Sequence, residues 1–420
     1  LRLDFWDHPA VKGIEGLRAR ERRLRRQEQR RKRNLTWLAS ALLITAVIIF
    51  LVVPAVIPGS DPEGLTPPGK IEDKSINLRT ATVSTSGDIL IHSPVWYAAQ
   101  ANAGGSGYDF TPMFSAIRRY VAGADLAICH LETPLTSNEP SGYPLFSTMP
   151  ELATGIRKAG WRACDTASNH TLDQGQAGVE ETVMTLRKEG IAQTGSATDA
   201  DSARRPLILK ADGIRIGVVA YTDFSNLGQP PEEYSLNLLP YDEPAAAKAR
   251  RVERDVNRAI RAGAETVLVV IQWGTENSTT PNESQLELAR AVTKIPDVAA
   301  IAGQGPHVVQ PIKRINGKFV VFSAGNLLSN QIAAAGLPAE TQYGLIALFR
   351  FRSAADGTKV RRIDYVPIWV RPGDYLIEPV GWGLRNDPAN EAGLRAAWES
   401  TVSIAGRSQS IRPVPRNIGD

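Results

Sequence analysis

Sulfur is scarce in this chain of 420 residues: it holds two cysteines, Cys129 and Cys164, and three methionines. No Cys-x-x-Cys occurs, which excludes a zinc knuckle or ribbon. No Gly-x-Ser-x-Gly elbow occurs, which removes the main sequence argument for a serine hydrolase. The stretch Gly303-Gln304-Gly305 is not followed by a complete phosphate-binding fingerprint, so it is no nucleotide loop. There is no internal repeat of fixed period, so the chain is no solenoid. Net charge is also lacking over most of the length. Residues 1–34 carry 12 Lys+Arg against 5 Asp+Glu, and the remaining residues carry 36 against 39. The basic character belongs to a short tail, and the nearly neutral body excludes nucleic acid as its partner.

The longest stretch without charge comes next. Residues 35–57 hold no charged side chain, and their only polar side chains besides Trp37 are Thr36, Ser40 and Thr45. At about 1.5 Å per helical residue this stretch reaches roughly 35 Å, enough for a bilayer core of about 30 Å. The Arg-rich residues before it place the N-terminus in the cytoplasm by the positive-inside rule, and everything after Ile57 outside. A long span behind a long basic tail favours an uncleaved signal anchor over a cleaved signal peptide. The expected organisation is a basic cytoplasmic tail (1–34), a transmembrane signal anchor (35–57) and a Pro/Gly-rich linker (58–76). A catalytic or binding domain (77–385) and a C-terminal helix and polar tail (386–420) follow. The localisation this implies is the cell membrane, single-pass, with the main domain extracytoplasmic.

Within that domain apolar runs alternate with helical patterns. Strands are expected at Ala81–Ser86, Asp125–His130, Trp161–Ala167, Ile214–Thr222, Thr266–Ile271, Val298–Ala302 and Lys318–Ser323. Helices are expected at Met113–Ala122, Leu152–Lys158, after Asp173, at Ala245–Ala262 and at Glu283–Lys294. Gly344–Phe351 and Val360–Val370 read as antiparallel strands. Unbroken apolar strands mark burial on both faces, and the alternation predicts an α/β class with a substantial parallel sheet. Asp173, three residues before Gln176, fits a capping box. The two cysteines lie in apolar strands and are expected as buried free thiols. An oxidising compartment would also permit a disulfide.

Polar residues gather where the apolar strands end: Asp88, Glu132, Asn169 and His170, Gln272, His307, and Asn326. Open α/β sheets bind ligands at the carboxyl ends of their strands. Carboxylate, amide and imidazole donors converging there suit one or two divalent cations such as Mn, Fe or Zn. Such cations would activate water and neutralise a phosphate.

The ordered segments Ser86-Gly87-Asp88-Ile89-Leu90-Ile91-His92, Leu131-Glu132-Thr133-Pro134 and Asn169-His170-Thr171-Leu172-Asp173-Gln174-Gly175 occur in one chain with Gln272-Trp273-Gly274, Pro306-His307-Val308-Val309-Gln310-Pro311 and Gly325-Asn326-Leu327. This set resembles the CapA (PgsA-type) poly-γ-glutamate capsule-biosynthesis family, which in turn resembles the calcineurin-like metallophosphatases. The resemblance implies a four-layer α/β sandwich with a metal site between sheet ends. It assigns Asp88, Glu132, Asn169, His170, Gln272 and His307 to that site. His170 and His307 are candidate catalytic groups, and His92 a substrate-facing one. Three positions depart from the family pattern: His130 stands where Asn is usual, and Gln272 and Gln304 stand where His is usual. The implied function is a metal-dependent hydrolase of a phosphoester or a γ-glutamyl amide. The alternative is a non-catalytic assembly component that binds the anionic capsule polymer and capsule synthase partners.

Overall fold

The computed structural model describes residues 78–418. Those residues belong to one compact unit. The expected tail, span and linker lie outside the described residues. Among the described residues no helix is long and apolar enough to cross a membrane.

Among the described residues, fifteen strands build two sheets. The strands are β1 (Arg79–Ile89), β2 (Leu126–Leu131), β3 (Ala163–Asp165), β4 (Ala192–Thr194), β5 (Leu207–Ala211), β6 (Ile214–Thr222), β7 (Thr266–Gln272), β8 (Val298–Gln304), β9 (Ile312–Ile315), β10 (Lys318–Val321), β11 (Asn326–Leu328), β12 (Tyr343–Ala354), β13 (Gly357–Val370), β14 (Ile377–Pro379) and β15 (Ile411–Pro413). The first sheet runs β14-β13-β12-β1-β2-β3-β4, with β11 also on β1 and β15 also on β13. The second runs β5-β6-β7-β8-β10-β9. In the first sheet β1, β2, β3 and β4 are parallel, and β12 and β13 form an antiparallel extension. In the second, β6, β7, β8 and β10 are parallel.

The period-two alternation of each strand decides which side chains meet. Along β2, Leu126 and Ile128 face one core, while Ala127, Cys129 and Leu131 face another. Along β7, Leu268 and Val270 join the same core as Ile128, while Val267, Val269 and Ile271 face the opposite way. One core therefore lies between the sheets and two lie outside them. The helix Glu151–Ala159 covers the first sheet with Leu152 and Ile156. The helices Ala245–Arg261 and Glu283–Val292 cover the second with Val252, Val256 and Leu288. This is the four-layer order of helix, sheet, sheet and helix that the resemblance implied.

The strand endings that gather polar residues belong to both sheets. Several expectations need correction. The helix expected over Met113–Ala122 is a 3-10 turn, Thr111–Phe114, then a short helix, Arg118–Val121. Both keep Met113, Phe114, Ile117 and Val121 in the core, so the apolar spacing is satisfied without one continuous helix. The strand expected at Trp161–Ala167 shrinks to β3, because a run of turns begins beyond it. The C-terminal helix expected from residue 386 is present, and the polar stretch after it is partly ordered. The helix Glu391–Ala405 sends Leu394, Ala397, Trp398 and Val402 into the core between the sheets, and β15 pairs with β13.

The cysteines are joined, Cys129 to Cys164, with a Cα–Cα distance of 4.4 Å. They stand directly opposite each other on neighbouring parallel strands, so the free thiols expected from burial do not occur.

Candidate metal centre

Asp88 is placed by two backbones crossing closely. A Cβ on Gly87 would lie 1.8 Å from the carbonyl oxygen of Gly325, so only glycine fits there. The next residue donates its N–H to that carbonyl at 3.0 Å, which sets Asp88 at the end of β1, between His130 on β2 and Asn326 on β11. Its carboxylate is fully buried. Oδ1 accepts from Gly305 N at 3.3 Å and lies 3.9 Å from His130 Nε2; Oδ2 accepts from His307 Nδ1 at 2.9 Å.

His307 reaches Asp88 because the chain reverses after β8. Gly305 has φ 100° and His307 itself φ 61°, a left-handed conformation that costs a histidine on the order of 1 kcal/mol. The bond to Asp88 and a 3.1 Å contact from Nδ1 to Asn326 Oδ1 hold it there. Glu132 follows β2 directly, tied by its N–H to Ile89 O. Glu132 Oε1 lies 3.8 Å from His307 Nε2, and Oε2 is buried without a partner. Among the described residues, Asp88, Glu132 and His307 form the group of three whose donor atoms all lie within 4.8 Å of one another.

The electrostatics follow from burial. Removal from water, the largest influence on His307, disfavours its charge. Glu132 and Asp88 outweigh it and push the imidazole up to about 10. Burial raises Glu132, and the His307 charge opposes that rise. Two buried carboxylates sharing one imidazolium form a concentrated negative site.

The second half of the site comes from the loop after β3 and from the second sheet. Asn169 N donates to Gln272 Oε1 at 3.0 Å, and Thr222 donates its hydroxyl to the same oxygen at 2.5 Å. A backbone N–H can only donate, so these bonds fix the amide orientation. Gln272 Nε2 therefore faces Asn169 Oδ1 at 2.6 Å and Glu132 Oε1 at 3.4 Å. Gln272 was expected as a metal ligand; its oxygen is instead spent on two donors, and it presents hydrogens to the site. Gln304, beside it on β8, donates to Ser86 O at 2.8 Å and keeps Oε1 buried without a partner.

His170 Nδ1 lies 2.7 Å from Asp173 Oδ2. Asn226 Nδ2 lies 3.2 and 3.4 Å from the two ring nitrogens. With Nδ1 donating to Asp173, Nε2 is the nitrogen left to exchange a proton. Asp173 was expected to cap the next helix. It does not: the helix Gly175–Lys188 starts from Gln174 with no side-chain cap bond. The same Asp173 oxygen accepts from Phe146 N at 2.8 Å.

Below Asp88 lies a second imidazole. His130 Nδ1 bonds Asp165 Oδ1 at 2.7 Å, and its Nε2 is buried without a partner. Burial opposes its charge most strongly, but Asp165, then Asp88 and Glu132, raise it to about 9. The disulfide joins the residues immediately before this pair.

His92 stands slightly apart. Its Nδ1 accepts from Asn330 N at 3.3 Å, and its ring meets the Phe146 ring edge-on at 5.4 Å. Phe146 packs against His170 at 4.7 Å, so its ring lies between His92 and His170. Burial, then the charge of His307, lower His92 to about 4.

Asp88, Glu132, Asn169, His170, Gln272 and His307 thus belong to one connected cluster. Sequence reasoning missed Asp165, Phe146, Asn226 and the His170-orienting role of Asp173. Asp165 had a readable signal, an acidic residue closing an apolar strand. Phe146 and Asn226 sit in irregular loops with no periodic pattern to mark them.

The family profile described as "Bacterial capsule synthesis protein PGA_cap" matches residues 82–331. The PGA biosynthesis protein CapA of Bacillus subtilis is 25% identical over 323 residues, covering 74% of this chain and 77% of that protein. The capsule biosynthesis protein CapA of Bacillus anthracis is 22% identical over 351 residues, covering 82% and 78%. Among solved structures, the calcineurin-like phosphoesterase YfkN from Bacillus subtilis aligns over 76% of this chain and 99% of its own, at 9% identity and a TM-score of 0.40. With the matched segment exceeding half its length and including every residue of the connected cluster, the chain belongs to the bacterial capsule synthesis (PGA_cap, CapA-like) family.

Proposed function

We propose that this protein is a membrane-anchored, extracytoplasmic, metal-dependent hydrolase of polyglutamate capsule biosynthesis. Its proposed substrate is a γ-glutamyl amide or a phosphoester. The observation that carries the reading is the trio Asp88, Glu132 and His307, with a buried, unpartnered oxygen on Glu132. An orphaned carboxylate oxygen beside a second carboxylate is expensive without a cation, and two oxygens with one imidazole nitrogen fit Mn, Fe or Zn. Bound there, a divalent cation supplies Lewis acidity toward a phosphoryl or carbonyl oxygen and makes water a stronger acid.

The chain's own residues supply the rest. Asp173 orients His170 so that Nε2 can give a proton to a leaving group or take one from water. Phe146 covers the ring and limits access of bulk solvent. Gly305 N holds Asp88 Oδ1, and the Asn226 amide steadies the His170 ring. The disulfide supports placement outside the cytoplasm, where such bonds persist. The relatives' names, PGA biosynthesis protein and capsule biosynthesis protein, support a role in making capsule polymer, and a capsule synthase is the proposed partner. The consumed amide of Gln272 favours the second reading, a polymer-binding assembly component without turnover.

The test is turnover by the full-length protein loaded with Mn or Zn. Hydrolysis of a generic phosphodiester and shortening of poly-γ-glutamate are measured beside His170→Ala. Metal-dependent turnover lost in the variant supports the hydrolase. A protein that binds polymer but cleaves neither substrate fits the assembly reading and removes the enzymatic one.

A further inference from the structure

Hydrolases that use two cations hold them about 3.5–4 Å apart on shared ligands. The oxygens available for a second cation here are Glu132 Oε1 and Asn169 Oδ1, and Gln272 Nε2 already stands between them. We infer that the centre holds a single divalent cation, at Asp88, Glu132 and His307, and that the Gln272 amide permanently fills the place of a second. This rests on the cation-binding reading given above.

Three observations carry it. The amide cannot turn its oxygen inward without stranding the buried backbone N–H of Asn169, which can only donate. A donor N–H₂ between two acceptor oxygens satisfies them as a cation would, without adding charge. The charge count agrees as well. Asp88 and Glu132 together balance one divalent ion. Of the neighbouring carboxylates, Asp165 and Asp173 each pair through one oxygen with an imidazole, His130 and His170. A second ion would bring two uncompensated positive charges into a buried site, which is strongly unfavourable.

Gln272 therefore sets the nuclearity of the centre. It also bonds to Asn169, so the amide fixes the loop that carries His170. Replacing Gln272 by Glu keeps the shape and turns the donor into an anionic acceptor, creating both a ligand and the missing charge. Gln272→His supplies a nitrogen lone pair with no added charge and serves as a second variant should the first fold poorly.

The experiment is metal counting on the full-length protein. Wild type, Gln272→Glu and Gln272→His are saturated with Mn(II), freed of excess, and measured by elemental analysis and electron paramagnetic resonance. The expected result is one Mn per chain with an isolated-ion spectrum in wild type, rising to two per chain with an exchange-coupled spectrum in at least one variant. Two coupled ions in wild type would overturn the inference and leave the hydrolase reading intact. One ion in wild type and in both variants would overturn the role given to Gln272. No ion in any of the three would remove the cation-binding reading itself.

Discussion

The disulfide ties the three-residue strand β3 to its neighbour β2, and its contribution can be worked from the chain. Cys129 and Cys164 are 35 residues apart in sequence. In the chain-entropy description, closing a loop of this length removes unfolded-state freedom equivalent to about 4 kcal/mol at 25 °C. The folded state gives little back on reduction. Both sulfurs are fully buried, so two thiols must fit into the space of one bond. β3 has three residues, and its ladder to β2 is correspondingly small. Reduction should therefore destabilise the protein by roughly 3–5 kcal/mol. Because the bond is inaccessible, reduction has to be done in denaturant, followed by refolding under reductant. Urea unfolding of oxidised, reduced and Cys129→Ala/Cys164→Ala protein, followed by tryptophan fluorescence, measures the difference. Trp161 lies two residues before β3, fully buried against Phe114, and reports on this region. The same samples should show weaker cation binding, because the disulfide adjoins His130 and Asp165. Stability equal within about 1 kcal/mol in all three states would refute the reasoning, as would two titratable thiols in the native protein.

Further outcomes follow from individual residues. Asp173→Asn should lower turnover by about 10²–10⁴-fold with cation content unchanged, since it acts through the orientation of His170; elemental analysis beside activity separates the two effects. Gly87→Ala should destabilise the domain by more than about 2 kcal/mol and abolish cation uptake, because the new methyl collides with Gly325 O and displaces Asp88. Stability should also depend on Asp223, which burial pushes up to about 7 against the opposing charge of Lys248. The folded state then binds more protons than the unfolded one between about pH 4 and 7, so this contribution falls as pH rises through that window, and the full cost remains above it. Asp223→Asn should flatten the decline, with a gain at pH 8 bounded by roughly 4 kcal/mol; denaturant titrations of both proteins across that range read the difference.

Where sequence was informative, the physics was simple. Strands buried on both faces leave unbroken apolar runs, as in β7 and β8, and their polar endings marked Gln272 and His307 directly. The residues that failed to read share a different property, because a side chain's partner is chosen by tertiary neighbours. Asp173 has the spacing of a helix cap, yet His170 and Phe146 N claim its carboxylate first. Cys129 and Cys164 are ordinary buried thiols until register places them opposite each other. Glutamine at position 272 has ligand oxygen in its formula, and only the orientation imposed by Asn169 and Thr222 shows that the oxygen is spent. The C-terminal segment with Arg412 and Arg416 is polar enough to resemble a tail, although its apolar minority closes the core.

The antiparallel extension of the first sheet bears on where this protein can be cut. The matched segment ends at residue 331, before β12 begins at Tyr343. β12 is the other neighbour of β1, paired with it from Arg79 to Thr85. A chain trimmed to the recognisable family segment would strip that neighbour away and leave the strand carrying Asp88 with an open, sticky edge. Boundaries drawn by similarity and boundaries drawn by hydrogen-bond ladders therefore disagree here. A fragment that keeps these ladders intact has to run from about residue 78 through Pro413, well past the end of the matched family segment.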